Sequence, residues 1–430
     1  MSATHLLAAL ALLAAPLQPR PQEDSLGSLP LSEVAAAFEA FEQACAREGG
    51  ALWGLDLHGP VLLVDPQSRR LAANLPDEQD LLEERDGLFL GTLPANQPLA
   101  NAPLEWAGRR WAMALVPFLG ASEAERVTVL AHESFHCVQP RLGLYAFGPE
   151  NEHLDGPEGR LWLQLEWNAL QAALAHAEDR RAALSDALDF RAARRARFPA
   201  AAERENPLEL REGLASYTGL RVAGRSASEV VADCVARRGR EDNLNRSFAY
   251  TSGPLYGYLL DAAGTEWRKG LGARSDLGAL LAAAHGLTPD AARAEARAQV
   301  HGGAELRARE AQREAERQER LARFRALLVD GPVLLVDLSL VSAGTMDTRQ
   351  VFPLEPGKLV YTRRGLTARF GTLELDGGAI LEDAATRIGR IALTDAAEDR
   401  LSGPGWRLAL ASGWRIEPAE RAGDFALRGP

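Results

Sequence analysis

Residues 122–140 read SEAERVTVLAHESFHCVQP. Ser122 followed three residues later by Glu125 is a capping-box pattern, which predicts a helix start, and Pro140 is expected to end the run. Inside this helix lies His132-Glu133-Ser134-Phe135-His136, with H-E-x-x-H spacing. Positions i and i+4 of a helix sit one above the other, so both imidazoles share a face. Two nitrogens there can take two corners of a tetrahedral zinc site. Glu133, beside the first histidine, can reach a water at such a site and serve as general base. Cys137 lies about 100° around the helix from His136. It therefore reads as a small buried hydrophobe rather than a ligand.

Working outward, residues 32–48 read as an amphipathic helix capped by Ser32, with Val34, Phe38, Phe41 and Cys45 at helical spacing. Val61–Val64, Leu88–Leu90 and Trp111–Val116 read as strands. Helices are expected over 158–178 and 180–198. A further helix is expected to open at Asn206-Pro207-Leu208-Glu209, with Asn as cap and Pro in the first turn. Residues 304–328 form a charged Ala/Arg/Glu helix, and 331–430 alternate and turn often at Gly, which predicts a small β domain. Gly59–Asp65 and Gly331–Asp337 both read GPVLLVD. Their flanks do not match, so the repeat is read as coincidence.

The chain has 430 residues, enough for two or three domains, and a net charge of −11. That charge argues against nucleic acid or an anionic membrane as partner. Three cysteines do not make a disulfide framework. Leu6–Ala15 is an apolar run of ten residues followed by Pro16. It is too short to span a bilayer and fits a signal-peptide core, although no Lys or Arg precedes it. Residues 1–20 are therefore expected to be an export signal, and the mature chain to be secreted or periplasmic, in the cell envelope, without a membrane span.

A catalytic zinc site usually has three protein ligands. The metzincin extension is absent, because Gln139 stands where a Gly is needed and Leu142 where the third His would be. The third ligand must come from elsewhere. Arg211-Glu212-Gly213-Leu214-Ala215-Ser216-Tyr217 resembles the E-G-L-A segment of gluzincins, the zinc peptidases with two His and one Glu. The segments AHESFHCVQ, EGRLWLQLEWNAL, REGLASYTG and AYTSGPLYGYLLD also resemble a group of bacterial zinc peptidases without an assigned substrate. The gluzincin resemblance covers only the motif helix and this second helix. It implies Glu212 as third ligand, on a helix packed against the first, with Gly213 permitting close approach. Asp155, at the spacing of aminopeptidase-type gluzincins, and Glu166 are rivals. Asp155 also reads as a turn residue, and Glu166 as a surface carboxylate or as support for a ligand histidine. One turn after Glu212, where thermolysin-like enzymes place an acid that orients a ligand histidine, stands Ser216. Another carboxylate is then expected in that role. The resemblance further implies a sheet edge beside the motif helix, for which Trp111–Val116 is the candidate.

The reaction implied is peptide-bond hydrolysis, with Zn2+ as cofactor and a peptide or protein as substrate. An oxyanion formed at the carbonyl needs a further donor. Tyr250 and Tyr256, in the segment after the third-ligand helix, are the candidates, with Tyr217 and His153 as outside choices. The alternative is a zincin scaffold that binds without catalysis. An intact Glu133 weighs against it, because binding alone needs no base. The fold class expected is α+β. Its parts are an N-terminal α/β subdomain (21–119), a mainly helical zincin-like core (120–302), a charged helix or linker (303–329) and a β domain (330–430).

Overall fold

The computed structural model describes residues 24–237, 244–347, 350–393, 402–403 and 405–430. The expected export signal, residues 1–20, lies outside them. Helix makes up 47% and strand 23% of the described residues, segregated into helices and three sheets, so the class is α+β. The chain divides into two compact units. The first comprises Met1–His153 and Trp162–His301, and the second Leu154–Leu161 and Gly302–Pro430. The expected N-terminal subdomain and helical core are thus one unit, and the charged helix belongs with the β domain.

The first unit opens with a short hairpin, β1 (Ser25–Leu26) and β2 (Leu29–Pro30), and then α1 (Leu31–Glu48). Pro30 occupies the cap position of α1 in place of the expected Ser32, and Gly49 ends the helix at φ 62°. Six strands follow: β3 (Val61–Val64), β4 (Arg70–Ala73), β5 (Glu83–Arg85), β6 (Leu88–Thr92), β7 (Ala102–Trp106) and β8 (Arg109–Leu115). They form one sheet in the order β5-β6-β4-β3-β8-β7. Only the β3–β8 pair is parallel, with Leu62 opposite Met113. Leu62, Val64, Trp111, Met113 and Leu115 alternate onto one face and bury together. Ala112 and Ala114, on the other face, are small and buried, and α2 (Glu123–Leu142) packs on β7 and β8. The expectation of a free edge at Trp111–Val116 is corrected here. Its strand is paired on both sides, and the edge beside α2 is β7.

The capping box of α2 is complete: the Ser122 side chain accepts from Glu125 N–H, and Glu125 accepts from Ser122 N–H at 2.9 Å. Pro140 does not end this helix. It sits in the last turn, which closes at Gly143 with φ 68°. Proline so near the end forfeits one bond, to the His136 carbonyl, and the remaining turn survives. The helices α3 (Pro157–Ala175), α4 (Arg180–Arg197) and α5 (Ala201–Leu208) follow. Asn206-Pro207 is likewise not a helix start, for α5 begins at Ala201 and carries Pro207 inside it. After it comes a π turn, Glu209–Gly213, and then α6 (Leu214–Val222). A proline interrupting the bonding ladder and a wide turn just beyond it are physically related, since the freed carbonyls must find new partners. The unit finishes with α7 (Ala227–Arg237), α8 (Leu244–Ser247), α9 (Ala249–Ala262), α10 (Leu277–His285) and α11 (Ala294–Ala298).

In the second unit α12 (Gly303–Arg325) runs into another π turn, Ala326–Asp330. Its strands are β9 (Val333–Asp337), β10 (Val341–Met346), β11 (Val351–Glu355), β12 (Lys358–Ala368), β13 (Gly371–Asp383), β14 (Ile388–Ala392), β15 (Ser402–Gly403), β16 (Trp406–Leu410), β17 (Arg415–Pro418) and β18 (Phe425–Arg428). They pair in the order β10-β12-β13-β14-β9-β18-β17, with β11 on β12 and the β15–β16 pair on β13. Phe324 and Leu328 bury against Val360 and Leu381, so α12 and its π turn cover part of this sheet. Both GPVLLVD copies become interior strands, each between one antiparallel and one parallel neighbour. A short run of apolar residues is what a strand flanked on both sides tolerates, which suits one sequence to two sheets. No helix among the described residues is long and apolar enough to cross a membrane.

Candidate metal centre

His132, His136 and Glu212 converge. The two Nε2 atoms lie 3.1 Å apart, and Glu212 Oε2 is 3.5 Å from that of His132 and 3.3 Å from that of His136. Among the described residues this is the one group of three acidic, His or Cys side chains whose donor atoms all lie within 4.8 Å of one another. Asp155, exposed and in the second unit, is not part of it, and Glu166 is fully buried in an ion cluster.

Each ring is turned by a partner behind it. His136 Nδ1 lies 2.7 Å from Gln139 Oε1, and the amide nitrogen of Gln139 donates to the Leu210 and Arg211 carbonyls. Two carbonyl acceptors fix the amide orientation, so Oε1 must accept the Nδ1 proton. His132 Nδ1 lies 3.4 Å from Ser216 Oγ. The expected carboxylate is therefore absent from this role: a glutamine and a serine orient the rings. The first choice directs the His136 Nε2 lone pair toward Glu212 Oε2, and the serine, which can donate or accept, allows the same tautomer at His132. Three lone pairs facing one another there would repel, so the site needs a positive charge among them, either a cation or a proton carried between Glu212 and the rings.

A zinc ion fits that requirement. A tetrahedron with corners ~2.0–2.1 Å from its centre has edges of about 3.3–3.4 Å. The three measured edges of 3.1, 3.3 and 3.5 Å bracket this value. The donor set of two imidazoles and one carboxylate is one that catalytic zinc uses. Burial alone would raise the Glu212 carboxyl, but the hydrogen bonds and charges of His132 and His136 hold it far below the ordinary range. It is thus an anion in this site.

Glu212 is presented by the π turn, whose wider pitch carries it next to the motif helix. Gly213 does permit a close approach, but to α9 rather than to α2. A Cβ on Gly253 would fall 2.2 Å from Gly213 Cα. The close crossing with α2 is one and a half turns on, at Gly219, where a Cβ would meet the Thr128 carbonyl at 2.4 Å. Three helices, α2, α6 and α9, are thereby held within a side chain's width of one another around the triad.

Glu133 is 4% exposed. Burial pushes its carboxyl up, and the neighbouring histidines pull it partly back. Its Oε2 has no hydrogen-bond partner among the described residues. Tyr250 stacks on His132 with ring centroids 5.7 Å apart and planes 6° from parallel, and its hydroxyl donates to Glu212 Oε2 at 2.7 Å. Burial and the Glu212 charge drive this hydroxyl far above its ordinary value, so it stays a donor. Tyr256, the other candidate donor, is not brought to the triad. It is fully buried and donates to Glu166 Oε1 at 2.6 Å. Tyr217 donates to Asp261, and His153 is paired with Glu205. All three cysteines are free; Cys137 is half-buried rather than buried as expected, takes no part in the triad, and burial pushes its thiol up to about 11.

Gln139 was hidden as a support because its partners lie far along the chain, whereas Ser216 occupies the position the resemblance gives to a histidine-orienting group, with a hydroxyl in place of the acid. The contact from Gln139 to the Leu210 carbonyl spans 71 residues. No family model matches the chain, and no significant match is found among curated proteins or solved structures.

Proposed function

We propose that this protein is a zinc-dependent hydrolase of peptide bonds, with His132 Nε2, His136 Nε2 and Glu212 Oε2 holding the metal. The observation that carries this is the triangle of His132 Nε2, His136 Nε2 and Glu212 Oε2 at zinc-site spacing, with a buried, unpartnered carboxylate oxygen on Glu133 of the same motif. Zinc bound there supplies a Lewis acid that acidifies water toward neutrality and polarises a carbonyl. Glu133 Oε2 accepts the proton that the attacking water loses and returns it to the leaving amine. Burial raises its basicity toward the working pH, which favours both transfers. The Gln139 oxygen keeps the Nδ1 proton of His136 in place, so that ring turns its unprotonated nitrogen inward, and Ser216 accepts from His132 Nδ1 when zinc holds its Nε2. Tyr250, pinned over His132 and bonded to Glu212, holds the carboxylate and stands nearest of the tyrosines to donate to an oxyanion.

The test is the purified full chain and its Glu133→Gln variant. Both should carry about one zinc per chain by elemental analysis, because Glu133 is not a ligand. The variant should lose roughly a hundredfold or more of its peptide hydrolysis. Unchanged hydrolysis would remove Glu133 as the base, and absence of stoichiometric zinc would remove the reading altogether.

A further inference from the structure

A cleft of about 250 Å³ opens beside the triad, with Glu212 and Tyr250 in its wall. Three arginines, Arg204, Arg211 and Arg246, line it against two glutamates, Glu150 and Glu212. The lining thus carries three positive and two negative side chains on a chain whose net charge is −11. The arginines are not equivalent. Arg204 donates to the Glu150 carbonyl at 2.7 Å and to Glu152 at 3.2 Å, and Arg246 is paired with Glu150. Both charges are therefore answered by neighbours.

Arg211 is also paired, with Glu212, but through Nε alone. Its Nε donates to Glu212 Oε1 at 3.0 Å, the oxygen that does not face the histidines. The Phe147 ring covers one face of the guanidinium, 4.5 Å from its central carbon. Phe147 is itself 70% exposed and braced edge-on by Tyr145 at 5.0 Å. Among the described residues neither terminal nitrogen of Arg211 has a hydrogen-bond partner. A guanidinium fixed at Nε and stacked on a ring loses little further freedom on binding. Its open fork matches a carboxylate in two parallel bonds.

We infer that this cleft selects peptides carrying a carboxylate on the residue next to the cleaved bond, and that Arg211 is the group that binds it. The inference rests on the peptidase reading above. The distance sets the position: Arg211 touches the far oxygen of a triad carboxylate, and one residue of extended chain spans ~3.3–3.6 Å. A carboxylate in the fork then belongs to a residue flanking the bond held at the triad, not to a remote one. Two sources share this chemistry, the side chain of Asp or Glu and a free C-terminus.

Binding separates this from turnover. The zinc-loaded Glu133→Gln protein is titrated by calorimetry with alanine hexapeptide amides in which one residue, walked along the chain, is Glu or Gln. Alanine peptides with a free or amidated C-terminus form a second set. In one set the charged peptide should bind about tenfold or more tighter than its neutral partner, and the set that does so names the source. Adding Arg211→Gln should bring that ratio to about one with zinc content kept. If the double variant loses zinc or fails to fold, the same ratio in the Glu133→Gln protein decides by its salt dependence, shrinking as ionic strength rises from 0.05 to about 0.5 M. Equal binding of charged and neutral peptides in both sets, or a ratio that survives Arg211→Gln or ignores salt, overturns the inference while leaving the peptidase reading intact. A charged-over-neutral preference in a protein whose native chain cleaves no peptide does the reverse.

Discussion

At the scale of single residues, Gln139 links the two halves of the centre. One side-chain amide takes the Nδ1 proton of His136 and donates to the two carbonyls that precede Glu212. It is fully buried, so none of these bonds has water as a substitute. Gln139→Leu strands a ring N–H and two carbonyls, frees His136 to flip tautomer and releases the backbone that presents Glu212. Zinc affinity, measured by competition with a chelator, should fall about 10–100-fold. Ser216→Ala should cost less, because the Ser216–His132 contact is long at 3.4 Å. An equal or larger loss for Ser216→Ala would mean that the ranking of the two supports is wrong. The position of Ser216 was legible from the resemblance, but the role of Gln139 was not. H-E-x-x-H and R-E-G-L-A are local patterns, whereas a glutamine three residues past His136 acquires meaning only when the chain returns some 70 residues later.

At the scale of elements, the prolines and glycines show which local rules the fold overrides. Pro140, Pro207 and Pro254 all lie inside helices. Each propensity argument for a boundary is sound in an isolated peptide, but packing on neighbouring helices retains the turns that proline weakens. The capping box at Ser122 survives because both of its partners are within one turn. The glycines act through space instead. Gly253 meets Gly213 at the crossing of α9 with the π turn, and a methyl group there would overlap backbone that cannot rotate away. Gly253→Ala should lower stability by at least ~1–3 kcal/mol in urea unfolding. It should also release zinc, because the displaced residue adjoins Glu212. Gly272→Ala is the control, since a Cβ there meets nothing within 4 Å. If the two variants unfold at the same urea concentration, the crossing is not what holds the π turn.

At the scale of the whole first unit, what binds the π turn that carries Glu212 to the helices behind it is a buried ion cluster which no periodicity could reveal. Glu166 of α3, Arg191 and Arg194 of α4, and Glu205 and Glu209 near the π turn are all nearly or fully buried. Arg191 grips Glu209 through a 2.6 Å bond, and Arg194 grips Glu205 at 2.6 Å. In the sequence Glu166 reads as a surface carboxylate or as support for a ligand histidine, and 180–198 as a helix with no face assigned. Charge alone does not say which face turns inward, and only the matching charges on other helices permit the burial. Removing one partner of such a cluster leaves an uncompensated charge, so Arg194→Met should lose roughly 3–5 kcal/mol at pH 7. The pH dependence gives a second readout. Burial by itself would raise the Glu205 carboxyl, but the Arg194 charge and the His153 and Arg194 hydrogen bonds hold it well below its ordinary 4.5. A carboxyl depressed in the folded state stabilises above its unfolded value and loses that contribution as pH falls toward the folded one, because the unfolded chain binds the proton first. The native protein should therefore lose stability steadily as pH drops below about 4.5. In Arg194→Met the main cause of the depression is gone, so its stability should start lower and fall less steeply over the same range. Urea midpoints at a series of pH values distinguish the cases. Parallel curves for the two proteins would show that Arg194 contributes packing alone, and that the charge of Glu205 is held by its other neighbours.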